Sequence, residues 1–185
     1  TGASGGVGSL AVGLLAARGY QVIASSGTPA ARPLLERLGA ASVVPRGELG
    51  ESNDRPLGKA EFGGGVDTVG GETLANLLKR TRNDGAVAAC GLVGGSELKV
   101  SVFPFILRGV ALLGVDSQQL PADRRAGLWR GLADAWVDAG LNETPGLVSE
   151  VSIDELEGPV AAILAGQVAG RVVVRVGGRK SHESL

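Results

Sequence analysis

The chain has 185 residues, 44 % of them hydrophobic but only 3 % aromatic, and a formal net charge of −1. That is one domain's length, with an aliphatic core and no excess of positive charge to draw it to nucleic acid. A single cysteine, Cys90, and a single histidine, His182, exclude an internal disulfide and a His/Cys metal cluster, and no apolar run reaches membrane-spanning length.

Residues 1–8, TGASGGVG, form a glycine-rich loop that runs into an apolar helix over 9–18, where Val7, Leu10, Leu14 and Leu15 recur near three-and-four spacing. Gly19 suits the position just past its end. Residues 21–26 read as a short apolar strand with a polar end, 27–29 as a turn, and 30–38 as a helix closed by Gly39. A strand follows over 42–45 with Arg46 at its exit, then a polar loop with a helical turn over 47–59. Next come a strand at 65–70, a helix at 72–79, an apolar strand at 85–91, a short helix around Pro104 within 100–107, and an apolar strand at 110–115.

Strand and helix alternate, and the strands are apolar on both faces. This predicts an α/β fold, a Rossmann-type doubly wound parallel sheet with helices on both sides. The pattern changes near residue 120. A long amphipathic helix spans 123–139, with Leu128, Leu132, Ala135 and Trp136 on one face and Arg124, Arg125 and Asp134 off it. A helix over 153–164 and a strand over 171–176 follow. The expected division is a dinucleotide-binding domain at 1–121, a C-terminal helix-helix-strand segment at 122–176 and a disordered polar tail at 177–185.

The strand that should feed the loop would lie before Thr1, so the sheet is expected to lack its first strand. In the order 3-2-1-4-5-6 that strand is central. Its absence would part the strands at 21 and 42 from those at 65, 85 and 110. Each buried, unpaired backbone group would cost about 1–3 kcal/mol, against a net stability of about 5–15 kcal/mol. The chain by itself is therefore expected to be unstable.

The opening loop carries the chemistry. Glycines let the backbone approach a dinucleotide pyrophosphate, and the first N–H groups of the helix point at the phosphates. An acid at the end of the second strand would select NAD. Here that strand ends Ala24-Ser25-Ser26-Gly27-Thr28, without Asp or Glu, so hydroxyls and Arg32 or Arg46 favour a 2′-phosphate. Arg46 reads otherwise as a solvated loop arginine. Cys90 has no base near it in sequence and is not expected to act as a nucleophile. The arginines at 108, 124, 125 and 130 read as a solvated face or as contacts for coenzyme A phosphates. A short-chain dehydrogenase reading fails, because that chemistry needs a lysine four residues after a tyrosine and the only tyrosine, Tyr20, is followed by Ala24.

Five stretches in this order and spacing are similar to one family. They are TGASGGVGS at 1–9, DTVG at 67–70, AACGLVGG at 88–95, FPFILR at 103–108 and GVDS at 114–117. Over residues 1–176 the chain resembles the cofactor-binding half of the medium-chain dehydrogenase/reductase superfamily, in the zinc-independent quinone-oxidoreductase-like branch that includes acrylyl-CoA reductases. The resemblance implies that Ser4, Gly5, Gly6 and Val7 contact pyrophosphate and ribose, and that Ser26, Gly27, Thr28 and Arg46 hold the 2′-phosphate of NADP(H). Relatives often carry a basic residue where Thr28 stands, which leaves more to Arg46. Leu92, Ile106 and Ser117 would surround the nicotinamide, although Leu92 and Ile106 also read as core aliphatics. The C-terminal segment would return to a GroES-like catalytic domain.

The implied activity is NADPH-dependent reduction of the C=C bond of an α,β-unsaturated thioester such as acryloyl-CoA, with hydride delivered to the β-carbon. The alternatives are a quinone or enone reductase, and a non-catalytic nucleotide-binding module. No catalytic residue and no metal ligand are expected within this chain. A cytoplasmic homodimer is expected, paired along the strand at 110–115, with a small-molecule substrate and neither nucleic acid nor membrane as partner.

Overall fold

The computed structural model describes residues 1–51 and 54–176, so the expectation for the tail at 177–185, which contains His182, lies outside the described residues. Helix α1 (Gly6–Ala17) starts inside the glycine loop, with Gly5 in an extended conformation as its N-cap. The loop's last glycines are therefore the first turn of the helix. Strand β1 (Val22–Ser26) leads through a 3₁₀ turn and α2 (Arg32–Arg37) into β2 (Ala40–Pro45), and the two strands pair in parallel. A single helical turn, α3 (Gly47–Gly50), follows.

Strand β3 (Phe62–Asp67), helix α4 (Gly71–Arg80) and strand β4 (Thr81–Ala89) form the next unit; α5 (Phe103–Arg108) connects β4 to β5 (Ala111–Gly114). These three strands are parallel in the order β3-β4-β5, which leaves β5 at an edge. Both β3 and β4 begin three or four residues earlier than hydropathy suggests. Apart from Phe62, the added residues are polar or glycine; the Phe62–Thr81 pairing draws them in, with Asp84 in the left-handed region and a register shift between Phe62 and Gly64.

The strands at β1 and β2 thus stand apart from β3, β4 and β5, as expected. Each group has its own core. Val12, Ala24, Leu34, Leu35, Leu38, Leu141 and Leu147 fill one; Leu74, Leu77, Leu78, Val87 and Val110 fill the other. The first three residues lace the halves together. Ala3 N donates to Ser25 O of β1 at 2.9 Å, and Thr1 N donates to Val66 O of β3 at 2.8 Å.

Helix α6 (Ala122–Asp138) half-buries Leu132, Ala135 and Trp136, but Leu128 is exposed, so the expected face is apolar only toward its C-terminal end. After it, β6 (Val148–Ser152), α7 (Glu157–Leu164) and β7 (Arg171–Arg175) form a parallel two-stranded unit. The sequence marks residues 148–151 as a separate element without assigning its type; VSEVS is short and mostly polar, and its parallel pairing with β7 makes it a strand. Among the described residues, no helix is long and apolar enough to cross a membrane.

Arg108 is a backbone clamp. Its guanidinium donates to Gly58 O at 2.7 Å, Lys79 O at 2.9 Å and Thr81 O at 3.1 Å, closing the end of α4. Arg125 likewise spends one nitrogen on the carbonyls of Ser117, Gln118 and Leu120, and Arg130 bonds Ala126 O. These three side chains are engaged with backbone, which counts against the coenzyme A phosphate reading of the group. Arg108→Ala is expected to destabilise the fold by roughly 1–3 kcal/mol through orphaned carbonyls, read as a lower midpoint in urea unfolding with an unchanged slope.

Candidate functional site

The site is assembled where the loop 1–5 enters α1. No side chain caps α1, and its first turn carries no acid. The N–H groups of Gly6, Val7 and Gly8 have no intrahelical acceptor. They form a donor cluster at the positive end of the helix dipole, which suits a phosphate. The turn is tight: Gly5 N donates to Gly2 O at 3.0 Å, and Ser9 N to Gly5 O at 2.9 Å. A side chain on Gly8 would overlap the Gly2 carbonyl and come within 2.8 Å of Ala3 Cα.

The end of β1 lies beside this loop. Ser4 Oγ is 3.5 Å from Thr28 Oγ1, and the Ser26 hydroxyl accepts from Thr28 N at 3.0 Å. Arg46 joins the same cluster: its N–H donates to Ser26 O at 2.9 Å, and its guanidinium lies across Gly27. A Cβ on Gly27 would stand 2.7 Å from Arg46 Cζ, so any side chain there would push the guanidinium from its present place. Ser4, Ser26, Gly27, Thr28 and Arg46 therefore meet, although they come from three separate segments. Arg32 is turned to other work, donating to Val43 O and pairing with Glu36.

Leu92 and Ile106 are 66 % and 67 % exposed, which removes their reading as core residues. Leu92 follows the C-terminal end of β4, Ser117 follows that of the neighbouring β5, and Ile106 lies on α5 between them. Ligands of open α/β sheets bind at such strand ends. Val7 is half exposed on the first turn of α1.

One contribution was missed. The C-terminal segment returns to the loop: Gly170 N donates to Ser4 O at 2.8 Å, and Thr28 Oγ1 donates to Gly166 O at 3.1 Å. Arg171, the first residue of β7, lays its guanidinium over Gly6, where a Cβ would stand 2.5 Å from Nε. Nothing near residue 171 in the sequence signals this; only the closure of the fold brings a second cation to the loop.

Cys90 is at the surface beyond β4, and its thiol donates to Asp67 O at 3.4 Å. Partial burial pushes the thiol above its usual range, and the charge of Asp67 pushes it the same way. Its alkylation by iodoacetamide at pH 7.5 is expected to be several-fold slower than that of free cysteine, rising only at more alkaline pH; an equal rate at pH 7.5 would contradict this. Among the described residues, no three His, Cys, Asp or Glu side chains are grouped to hold a metal ion.

Comparisons with known proteins point to one family. The family model described as zinc-binding dehydrogenase matches residues 6–133. Acrylyl-CoA reductase AcuI of Ruegeria pomeroyi is 43 % identical over 95 % of this chain and 52 % of its own length. The crystal structure of Escherichia coli YhdH with bound NADPH superposes with a TM-score of 0.83 at 45 % identity, covering 95 % of this chain and 53 % of that one. YhfP of Bacillus subtilis, solved with NAD bound, gives a TM-score of 0.85 at 42 % identity over 95 % and 53 %. The chain spans about half the length of these relatives. With the glycine loop, the parallel sheet and the matched segment in agreement, the chain belongs to the zinc-binding dehydrogenase family of the medium-chain dehydrogenase/reductase superfamily.

Proposed function

We propose that this chain binds NADPH and, in the intact protein, supports reduction of the C=C bond of an α,β-unsaturated thioester such as acryloyl-CoA. The observation that carries the reading is the cluster of Ser26, Gly27, Thr28 and Arg46 beside the uncapped start of α1, with no acid at the end of β1. Bound there, the cofactor supplies a hydride from its nicotinamide. The chain's own residues bind and orient. The N–H groups of Gly6, Val7 and Gly8 grip the pyrophosphate, and Arg171 adds charge above them. Arg46 and Ser26 hold the 2′-phosphate. Leu92, Ile106 and Ser117 line the nicotinamide end. Thr28 already donates to Gly166 O, which leaves Arg46 as the main determinant of phosphate selection.

The family description names zinc, but the described residues provide no ligand set for it, and the proposed chemistry uses none. Residues 1–121 act as the dinucleotide-binding domain and 122–176 as the segment that joins it to a catalytic domain. The edge strand β5, with Leu113 and the following Val115 exposed, fits pairing with a second copy in a homodimer, which we place in the cytoplasm. The experiment is NADPH oxidation by the intact protein, followed at 340 nm with acryloyl-CoA and with 1,4-benzoquinone. Faster turnover with acryloyl-CoA is expected. Preference for benzoquinone would move the assignment to a quinone reductase, and NADPH binding without oxidation of either kind would leave a binding module.

A further inference from the structure

We infer that Asp67 is a positioning residue that fixes the nicotinamide end of the site relative to the pyrophosphate grip; this rests on the NADPH reading above. Asp67 ends β3 and is fully buried. Both carboxylate oxygens are used, and they serve two different loops. Oδ1 accepts from the Thr1 hydroxyl at 2.5 Å, at the start of the glycine loop. Oδ2 accepts from Gly70 N at 2.7 Å, in the turn before α4.

Each contact continues outward. Thr1 Oγ1 accepts from Thr68 N at 3.1 Å, and Thr68 Oγ1 donates to Thr1 O at 3.2 Å, so the loop 1–5 is held at two points. On the other side, Gly70 bridges to Gly95, Gly94 N donates to Val69 O at 2.7 Å, and Gly95 N donates to Leu92 O at 3.0 Å. Gly70 takes φ 74°, and a Cβ on it would stand 3.1 Å from Leu92 Cα. The backbone of Asp67 itself accepts from Cys90 N at 2.9 Å. One carboxylate thus stands between the loop that would hold the phosphates and the loop that carries Leu92.

A group in that position sets geometry rather than grip. Misplacing reacting atoms by about 1 Å can cost on the order of 100-fold in rate while the phosphate contacts survive. An amide can replace the carboxylate: its oxygen can accept from Gly70 N–H and its NH₂ can donate to the Thr1 oxygen. Alanine can do neither.

The test uses the intact protein, with D67A, D67N and T1V measured against wild type. NADPH titration is followed by nicotinamide emission, and kcat is measured with acryloyl-CoA using NADPH and its 4-deuterated form. In D67A, kcat is expected to fall by about 100-fold with a larger isotope effect, while KM for NADPH rises by less than about threefold. The emission change on binding should shrink in amplitude, with the midpoint of the titration nearly unchanged. D67N should recover most of the lost kcat. If D67A does not fold, T1V carries the test, with about a tenfold loss of kcat expected. A wild-type kcat and emission change in D67A or T1V, or affinity lost in proportion to rate, overturns the inference. Failure of the wild-type protein to bind NADPH would instead overturn the cofactor reading.

Discussion

Gly8→Ala is expected to cost this protein most of its NADPH affinity and part of its fold. The added methyl would overlap the Gly2 carbonyl oxygen and lie 2.8 Å from Ala3 Cα. Both neighbours are backbone, so no side-chain rotation relieves the clash. Either α1 must move away from the loop or the loop must open. Overpacking of this kind costs about 1–3 kcal/mol, and for a domain of this size roughly 2–4 °C in melting temperature per kcal/mol. The functional loss should be larger than the thermal one. In the proposed site the N–H groups of Gly6, Val7 and Gly8 would converge on a phosphate only while the Gly5 N–H holds Gly2 O at 3.0 Å. A shift in that turn misaligns several donors together, and more than tenfold weaker NADPH binding is expected, since each charge-assisted bond is worth about 1.5–3 kcal/mol. Thermal melts with and without NADPH check both parts. An unchanged stabilisation by NADPH would mean that the phosphates are held elsewhere.

Arg46→Ala is expected to weaken NADPH by about 10- to 150-fold, the equivalent of one hydrogen bond to a charged group, and to leave NADH within about twofold because its ribose carries no 2′-phosphate. The physical reason is the lack of a substitute. Thr28 donates to Gly166 O, and Arg32 is occupied by Val43 O and Glu36. Arg46 alone lies across Gly27, where the backbone leaves room for a guanidinium. Steady-state KM values for both cofactors provide the measurement. A parallel loss for NADH would place Arg46 on the pyrophosphate or in the fold instead. The relative YhfP, solved with NAD bound, makes the comparison of both cofactors informative in the wild type as well.

Much of this was legible from residues taken in order. The glycines at 5, 6 and 8 ahead of an apolar helix announce a phosphate loop, because only a backbone without side chains can present its amides so closely. Alternating apolar runs announce a parallel sheet, and Ser26-Gly27-Thr28 without an acid points to a 2′-phosphate. These signals are local: they depend on side-chain size, helix period and strand burial within a few residues. The boundaries were less legible. Strand β4 begins at Thr81 rather than 85, because pairing with Phe62 recruits residues whose own hydropathy gives no strand signal.

The sequence by itself determined the class of fold, the loop and the chemistry of its donors. The tertiary structure decided which charges those donors share. Arg108 and Arg125 look as available as Arg171 in the sequence, yet the first two are consumed by carbonyls while Arg171 crosses Gly6 from a strand more than 160 residues away. Asp67 reads as part of a strand over 65–70, and only closure of the chain sets its two oxygens against Thr1 and Gly70. Local geometry follows from the covalent neighbours of a residue, whereas the partner of a charge is whatever the packed chain brings within about 3 Å of it.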